Sequence, residues 1–423
     1  MRAGRSSLAR RVNGTATPQQ DATADLERAV SLVRSLGRSV YMLGRLHIAC
    51  RTERLVGPLK WTEHTQHRAA GAVQRSSSTL IAVERHDASP YSKRGPCLSP
   101  HRMPNVAPPL EPSEFGYLDA GDGHLVYWET VGCSGGLPAV WLHGGPGAPP
   151  SPRTRGNVDP SRYRLVIFDQ RGCGRSRPLA SEPDADLATN TTDHLVADIE
   201  RLRAHLGIDR WVVIGGSWGV TLGLVYAQRY PERVLGLVLG AVTSGRWRET
   251  QWITRDMGRI FPREWDRFVE FVPETERAGD LAAAYARLLA NPDQAVREEA
   301  ARRWCKWEDT HMSLAPGFEP HLSVRELSWQ LVFARLVTHY WGHGCFLADN
   351  EVQANMEKIA QIPATLVHGA YDVSGPLDTA WELHKAWPAS RLVVVDDAGH
   401  FGGSMGERFT AAINAMAEQL QAT

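Results

Sequence analysis

Three side chains far apart in the chain have the types needed to make an alcohol attack a carbonyl carbon. Ser217 stands in Gly215-Gly216-Ser217-Trp218-Gly219, directly after the apolar run 211–214. Asp372 follows the apolar run 364–367, 155 residues beyond the serine, and His400 follows the run 392–395, a further 28 residues on. A serine hydroxyl is a weak nucleophile at neutral pH. It needs a base within hydrogen-bond reach, and the base needs a carboxylate to orient it. The order serine, aspartate, histidine, each after an apolar run, is the order in which loops at the carboxyl edge of a parallel sheet would deliver such a relay. The Gly-x-Ser-x-Gly pattern alone is weak, because a serine capping a helix reads the same way. With 16 histidines in the chain a single one means little; a histidine after Ala-Gly, downstream of a suitably placed aspartate, means more.

The tetrahedral intermediate of acyl transfer carries a negative oxygen and calls for two preset N–H donors. The amide of Trp218, next to the serine, is one candidate. The other is Gly145 in the early loop His143-Gly144-Gly145-Pro146-Gly147, although glycine and proline also simply make turns. No Lys-Ser/Thr follows those glycines, which excludes a phosphate-cradling P-loop. In the segment 169–176, DQRGCGRS, Asp169 and Arg171 read as loop braces and Cys173 as a small buried filler. None of the six cysteines is spaced as C-x-x-C, no metal pattern is present, and no organic cofactor is implied.

These groups need a scaffold. Residues 117–130 read as a hairpin about Asp122-Gly123. Apolar runs before Gly144, Asp169, Gly215, Ala241, Gly369 and Asp396 alternate with amphipathic segments such as TTDHLVADIERLRAHLG, whose Leu195, Ile199, Leu202 and Leu206 recur every three or four residues. The alternation predicts an α/β fold with a mostly parallel sheet covered by helices on both faces. Between about 242 and 350 the strands vanish and the segments become helical and aromatic-rich, which predicts a helical cap inserted into the sheet domain. The expected organisation is an N-terminal extension and linker over 1–106, a first core part over 107–241, the cap over 242–350, and a second core part over 351–423 that ends in a helix.

The chain has 423 residues, 43% of them hydrophobic and 22% charged, with zero net charge. The charge is uneven. Residues 1–106 hold 17 basic and 7 acidic residues, leaving the remainder at −10. The basic residues are scattered and lack interleaved aromatics, so neither a nucleic-acid nor a membrane partner is expected. The first twenty residues have the Arg-rich, acid-free character of a transit peptide, which chance composition also explains; a cytoplasmic location is the default expectation. The stretch 26–46 is amphipathic, and 89–115 is a Pro- and Ser-rich linker.

Taken together, HGGPG, DQRGCGRS, NTTDHLVADIERLRAHLGIDRW, GGSWG, YAQRYPERV and AGH resemble the proline iminopeptidases (prolyl aminopeptidases) of the α/β-hydrolase fold. The resemblance runs from about Pro108 to the end; Met103 stands just before it. It implies a serine peptidase that releases N-terminal proline from peptides, with Ser217 as nucleophile, His400 as base, Asp372 as its partner, and the amides of Gly145 and Trp218 as the oxyanion hole. It also implies that the cap supplies carboxylates for the substrate's charged N-terminus. Glu308 in RWCKWED matches one such position, flanked by Trp307, and Tyr340 falls in a second matching motif, so all three are expected at the substrate. The sequence departs at that second motif: ARLVTHYW carries Val337 where the pattern has glutamate, leaving Glu326 or Asp309 to compensate. The missing charge leaves open an esterase or amidase acting on a small uncharged substrate, or a relative that binds without turnover. The oligomeric state is not legible in the sequence.

Overall fold

Strands dominated by Val, Ile and Leu form the sheet because both of its faces are covered. The computed structural model describes residues 110–422 apart from 183, 184, 313, 316 and 320; the amphipathic stretch 26–46, the transit-like start and most of the 89–115 linker lie outside the described residues. Eight strands lie in the order β1-β2-β4-β3-β5-β6-β7-β8. They are β1 (Glu114–Gly121), β2 (His124–Gly132), β3 (Leu137–Leu142), β4 (Tyr163–Phe168), β5 (Trp211–Gly216), β6 (Val234–Gly240), β7 (Ala364–Gly369) and β8 (Ser390–Val395). The β1–β2 and β2–β4 pairs are antiparallel and the other five are parallel. The expected hairpin turns at Asp122, whose φ is 55°. Strand β1 begins at Glu114, earlier than residue 117, because its ladder to β2 continues as far as Glu114–Thr130.

Alternate residues along each strand feed two different cores. Val140, Leu142, Val213, Leu237 and Leu366 pack with Leu195, Ile199 and Leu202 of helix α1 (Thr192–His205) and with Leu222 and Leu224 of α2 (Trp218–Arg229). Ala139, Val212, Ile214, Val238 and Val367 face the other way, with Ile413 and Met416 of the last helix (Met405–Gln421). Two buried faces explain why the strands read as continuous apolar runs rather than alternating ones.

Between β6 and β7 come α3 (Trp247–Thr254), α4 (Pro262–Val269), α5 (Leu281–Leu289), α6 (Gln294–His311), α7 (Leu327–Gly342) and a short α8 (Glu351–Ala354). Helices α4 to α7 build a separate core on Phe268, Tyr285, Trp304, Trp307, Phe333 and Val337. Helix α9 (Leu377–Ala386) then separates β7 from β8, and α10 (Met405–Gln421) closes the chain. Among the described residues no helix is long and apolar enough to cross a membrane.

Candidate active site

The turn from β5 into α2 holds Ser217 at φ 55°, ψ −122°, a conformation that side-chain-bearing residues rarely adopt. Strand and helix meet so closely there that a Cβ on Gly219 would collide with the Leu142 carbonyl oxygen, and one on Gly215 with the carbonyl oxygen of Gly219. The backbone is held by Ser217 N–H donating to Gly240 O at 3.0 Å and by Thr243 Oγ donating to Ser217 O at 2.9 Å. The serine hydroxyl makes no capping bond to α2. It lies 2.9 Å from His400 Nε2, and His400 Nδ1 lies 2.8 Å from Asp372 Oδ2. The structure thus brings together the three side chains picked out by type and spacing.

His400 and Asp372 are both buried, so their charges interact strongly, while Ser217 is half-buried beneath the cavity. Burial opposes charging of the His400 imidazole, but the Asp372 carboxylate, through its charge and its hydrogen bond, with a smaller effect from Glu308, raises the His400 pKa above its ordinary value. Burial likewise opposes ionisation of Asp372, yet His400 and the Gly375 amide hold its pKa below the usual aspartate value. His368 stands behind the aspartate: it accepts from Val242 N–H through Nδ1 and donates through Nε2 to Gly375 O at 2.7 Å. That hydrogen bond fixes the loop that carries Asp372.

The loop 143–147 lies against the serine; a Cβ on Gly144 would sit 3.3 Å from Ser217 Cβ. Trp218 occupies the first position of α2, where the backbone N–H has no acceptor within its own helix. One side chain that sequence reasoning missed ties these two stretches together. Gln170 N–H donates to His143 Nε2, Gln170 Nε2 donates to His143 O, and Gln170 Oε1 accepts from Trp218 Nε1, each at 3.0 Å. Gln170→Ala is expected to lower kcat by about 10- to 100-fold with KM little changed, because it loosens both stretches at once. Steady-state kinetics with an anilide substrate checks this, and an unchanged kcat would show that the loops hold without it. The neighbouring residues act as expected: Arg171 is buried in a two-point pair with Asp198, Asp169 accepts from Arg175, and burial pushes the Cys173 thiol well up.

A cavity of about 560 Å³ opens over the serine. Its lining includes Gly144, Gly145, Ser217 and His400 from the sheet side and Glu308, Phe333 and Trp341 from α6 and α7. Glu308 is buried in this wall, with Oε1 accepting from Trp304 Nε1 at 3.1 Å. Burial pushes its pKa up to about 8 against the opposing pull of His400. A carboxyl in that setting is poised to ionise when a cation arrives. Among the described residues no group of His, Cys, Asp and Glu is arranged to hold a metal ion.

The alpha/beta hydrolase fold family model matches residues 140–403. The chain is 50% identical over 307 residues to a protein of Streptomyces coelicolor named "Probable proline iminopeptidase", covering 72% of this chain and 94% of that one. It is 43% identical over 300 residues to the proline iminopeptidase of Arabidopsis thaliana (70% and 78%), and 45% identical over 293 residues to that of Neisseria gonorrhoeae (69% and 91%). The chain belongs to the proline iminopeptidase family. It is a hydrolase, and its eight-stranded sheet is that of the α/β-hydrolase fold.

Three expectations drawn from the proline iminopeptidase resemblance need correction. Trp307 does not face the substrate cavity: it stacks on Phe268 and donates from Nε1 to Ile253 O at 3.2 Å. Neighbouring residues on a helix point about 100° apart, so when Glu308 faces the cavity its neighbour faces the helical core. Tyr340 is also off the cavity lining; it packs edge-on to Trp218 and donates its hydroxyl to Asn190 Oδ1 at 2.7 Å. It supports the residue after the nucleophile rather than touching substrate. Asp309 is not a spare anchor, because its carboxylate accepts the backbone N–H groups of His321, Leu322 and Ser323. Glu326 is exposed at the start of α7, and Val337 is fully buried in the helical core.

Proposed function

We propose that the chain is a serine aminopeptidase that releases N-terminal proline from peptides. The observation that carries the reading is a buried carboxyl, Glu308, in the same cavity as the Ser217–His400–Asp372 relay. Ser217 Oγ attacks the carbonyl carbon of the first residue while His400 Nε2 takes its proton. Asp372 holds the imidazole by Nδ1–H and stabilises its charge. The oxyanion accepts hydrogen bonds from the amides of Gly145 and Trp218. His400 then protonates the departing peptide amine, which leaves an ester on Ser217. Water, deprotonated by the same imidazole, hydrolyses that ester and frees proline. Glu308 compensates the substrate's N-terminal ammonium, whose desolvation would otherwise oppose entry. The helices between β6 and β7 act as the cap that brings this carboxyl over the sheet, and the cavity volume suits a terminal residue and its neighbour.

The apolar parts of the wall favour a second reading, hydrolysis of small uncharged esters or amides. A prolyl anilide, its N-acetylated form and a simple aryl ester separate the two. Under the proposal the free imine is cleaved with far higher kcat/KM than the acetylated form. Equal turnover of the two anilides alongside fast ester hydrolysis supports the second reading and overturns the first.

A further inference from the structure

Among the described residues, one buried polar atom on the cavity wall has no hydrogen-bond partner: Nε2 of His311. His311 is the last residue of α6, three residues beyond Glu308 on the same helical face, and is fully buried. Its other ring nitrogen is committed. Nδ1 lies 2.7 Å from Ser374 Oγ, and that hydroxyl donates to the His311 carbonyl oxygen at 2.8 Å. A serine hydroxyl has a single hydrogen to give. Ser374 therefore accepts from Nδ1–H, and Nε2 is left as a bare lone pair. Burial pushes the pKa of the ring down to about 3, so it stays neutral. Nε2 faces Glu308 Oε2 across 3.8 Å, too far for a hydrogen bond between them. An orphaned buried acceptor is destabilising, and its place beside a buried carboxyl calls for a donor that both can share.

We propose that Glu308 and His311 together seat the secondary ammonium of an N-terminal imino acid, the carboxylate supplying the charge and Nε2 the second acceptor. This rests on the aminopeptidase reading and goes beyond it by assigning the residue that replaces the missing second anchor. A prolyl nitrogen carries two N–H bonds when protonated, one for each acceptor. Acceptors bound to one tetrahedral nitrogen by ordinary hydrogen bonds stand about 4.7 Å apart, so the pair opens by roughly 1 Å or accepts bent bonds. A primary ammonium brings a third N–H, and Val337, at the position where the related motif has glutamate, offers it no acceptor. Ser374 is a positioning residue here: it lies two residues after Asp372, so the loop that orients the base also sets the tautomer of His311.

The test compares His311→Phe, which keeps a ring without the acceptor, and His311→Gln, which keeps an acceptor. With a prolyl anilide, His311→Phe is expected to raise KM about 10- to 100-fold and leave kcat within about threefold, while aryl ester turnover is unchanged. His311→Gln recovers much of the KM. A KM unchanged in His311→Phe, or equal losses on anilide and ester, overturns the seat while leaving the aminopeptidase reading intact. A wild-type enzyme that does not distinguish the prolyl from the N-acetylprolyl anilide overturns both. Should His311→Phe fail to fold, Ser374→Ala decides: it frees the tautomer, and a KM that stays at the wild-type value overturns the proposal.

Discussion

Ser217→Ala is expected to lower kcat by about 10⁶-fold, the scale on which a relay built around one nucleophile fails when that nucleophile is removed. The loss is chemical, not structural. Alanine keeps the Cβ, the positive φ and the close approach to Gly144, and the serine hydroxyl makes no capping bond that α2 would miss. The melting temperature is therefore expected to stay near that of the wild type, and covalent labelling by a fluorophosphonate to vanish. His400→Ala should cost nearly as much without an additive loss in the double variant, because base and nucleophile act as one unit. Persistent labelling of Ser217→Ala would place the nucleophile elsewhere. A large drop in melting temperature would show that the hydroxyl holds the turn.

The relay was legible because its parts obey local rules. Each member ends an apolar run, and a parallel sheet must deliver such ends to one edge. The two glycines around Ser217 mark a turn where strand and helix nearly touch. The cavity wall was less legible. Trp307 and Tyr340 sit in aromatic-rich helical segments, and a helical stretch rich in aromatics does not reveal which of its faces is the inner one. The structure turns Trp307 onto Phe268 and satisfies the Tyr340 hydroxyl with Asn190, 150 residues away in sequence. His311 did leave a signal: it stands at i+3 from Glu308, hence on the same face. Gln170 left none, because its partners come from two other segments and its type has no turn or capping preference. The N-terminal charge excess is visible in the sequence, but its place in the molecule lies outside the described residues.

Glu308→Gln carries the second large effect, and its sign depends on pH. Taking away a carboxylate that faces a buried cation costs about 3–5 kcal/mol, which is about 10²- to 10⁴-fold in kcat/KM for a prolyl anilide. Aryl ester hydrolysis has no cation to seat and should change little. Burial raises the Glu308 pKa to about 8, so below that pH the free enzyme holds the carboxyl largely protonated. A cationic substrate then binds only as that proton leaves. KM for the free imine should accordingly improve as pH rises toward 8, whereas KM for the ester should stay flat. In Glu308→Gln the improvement disappears. The base itself supplies the control. His400 works only as neutral imidazole, and its pKa lies above the ordinary value mainly through Asp372 and partly through Glu308. The acid limb of kcat/KM for the ester should lie above the ordinary histidine value in the wild type and move little in the variant, because Glu308 is largely protonated, and so uncharged, over the range in which His400 titrates. A general loss of fold would depress both substrates equally; loss confined to the free imine, with the ester's acid limb left in place, requires a Glu308 carboxylate that acts on the substrate's cation.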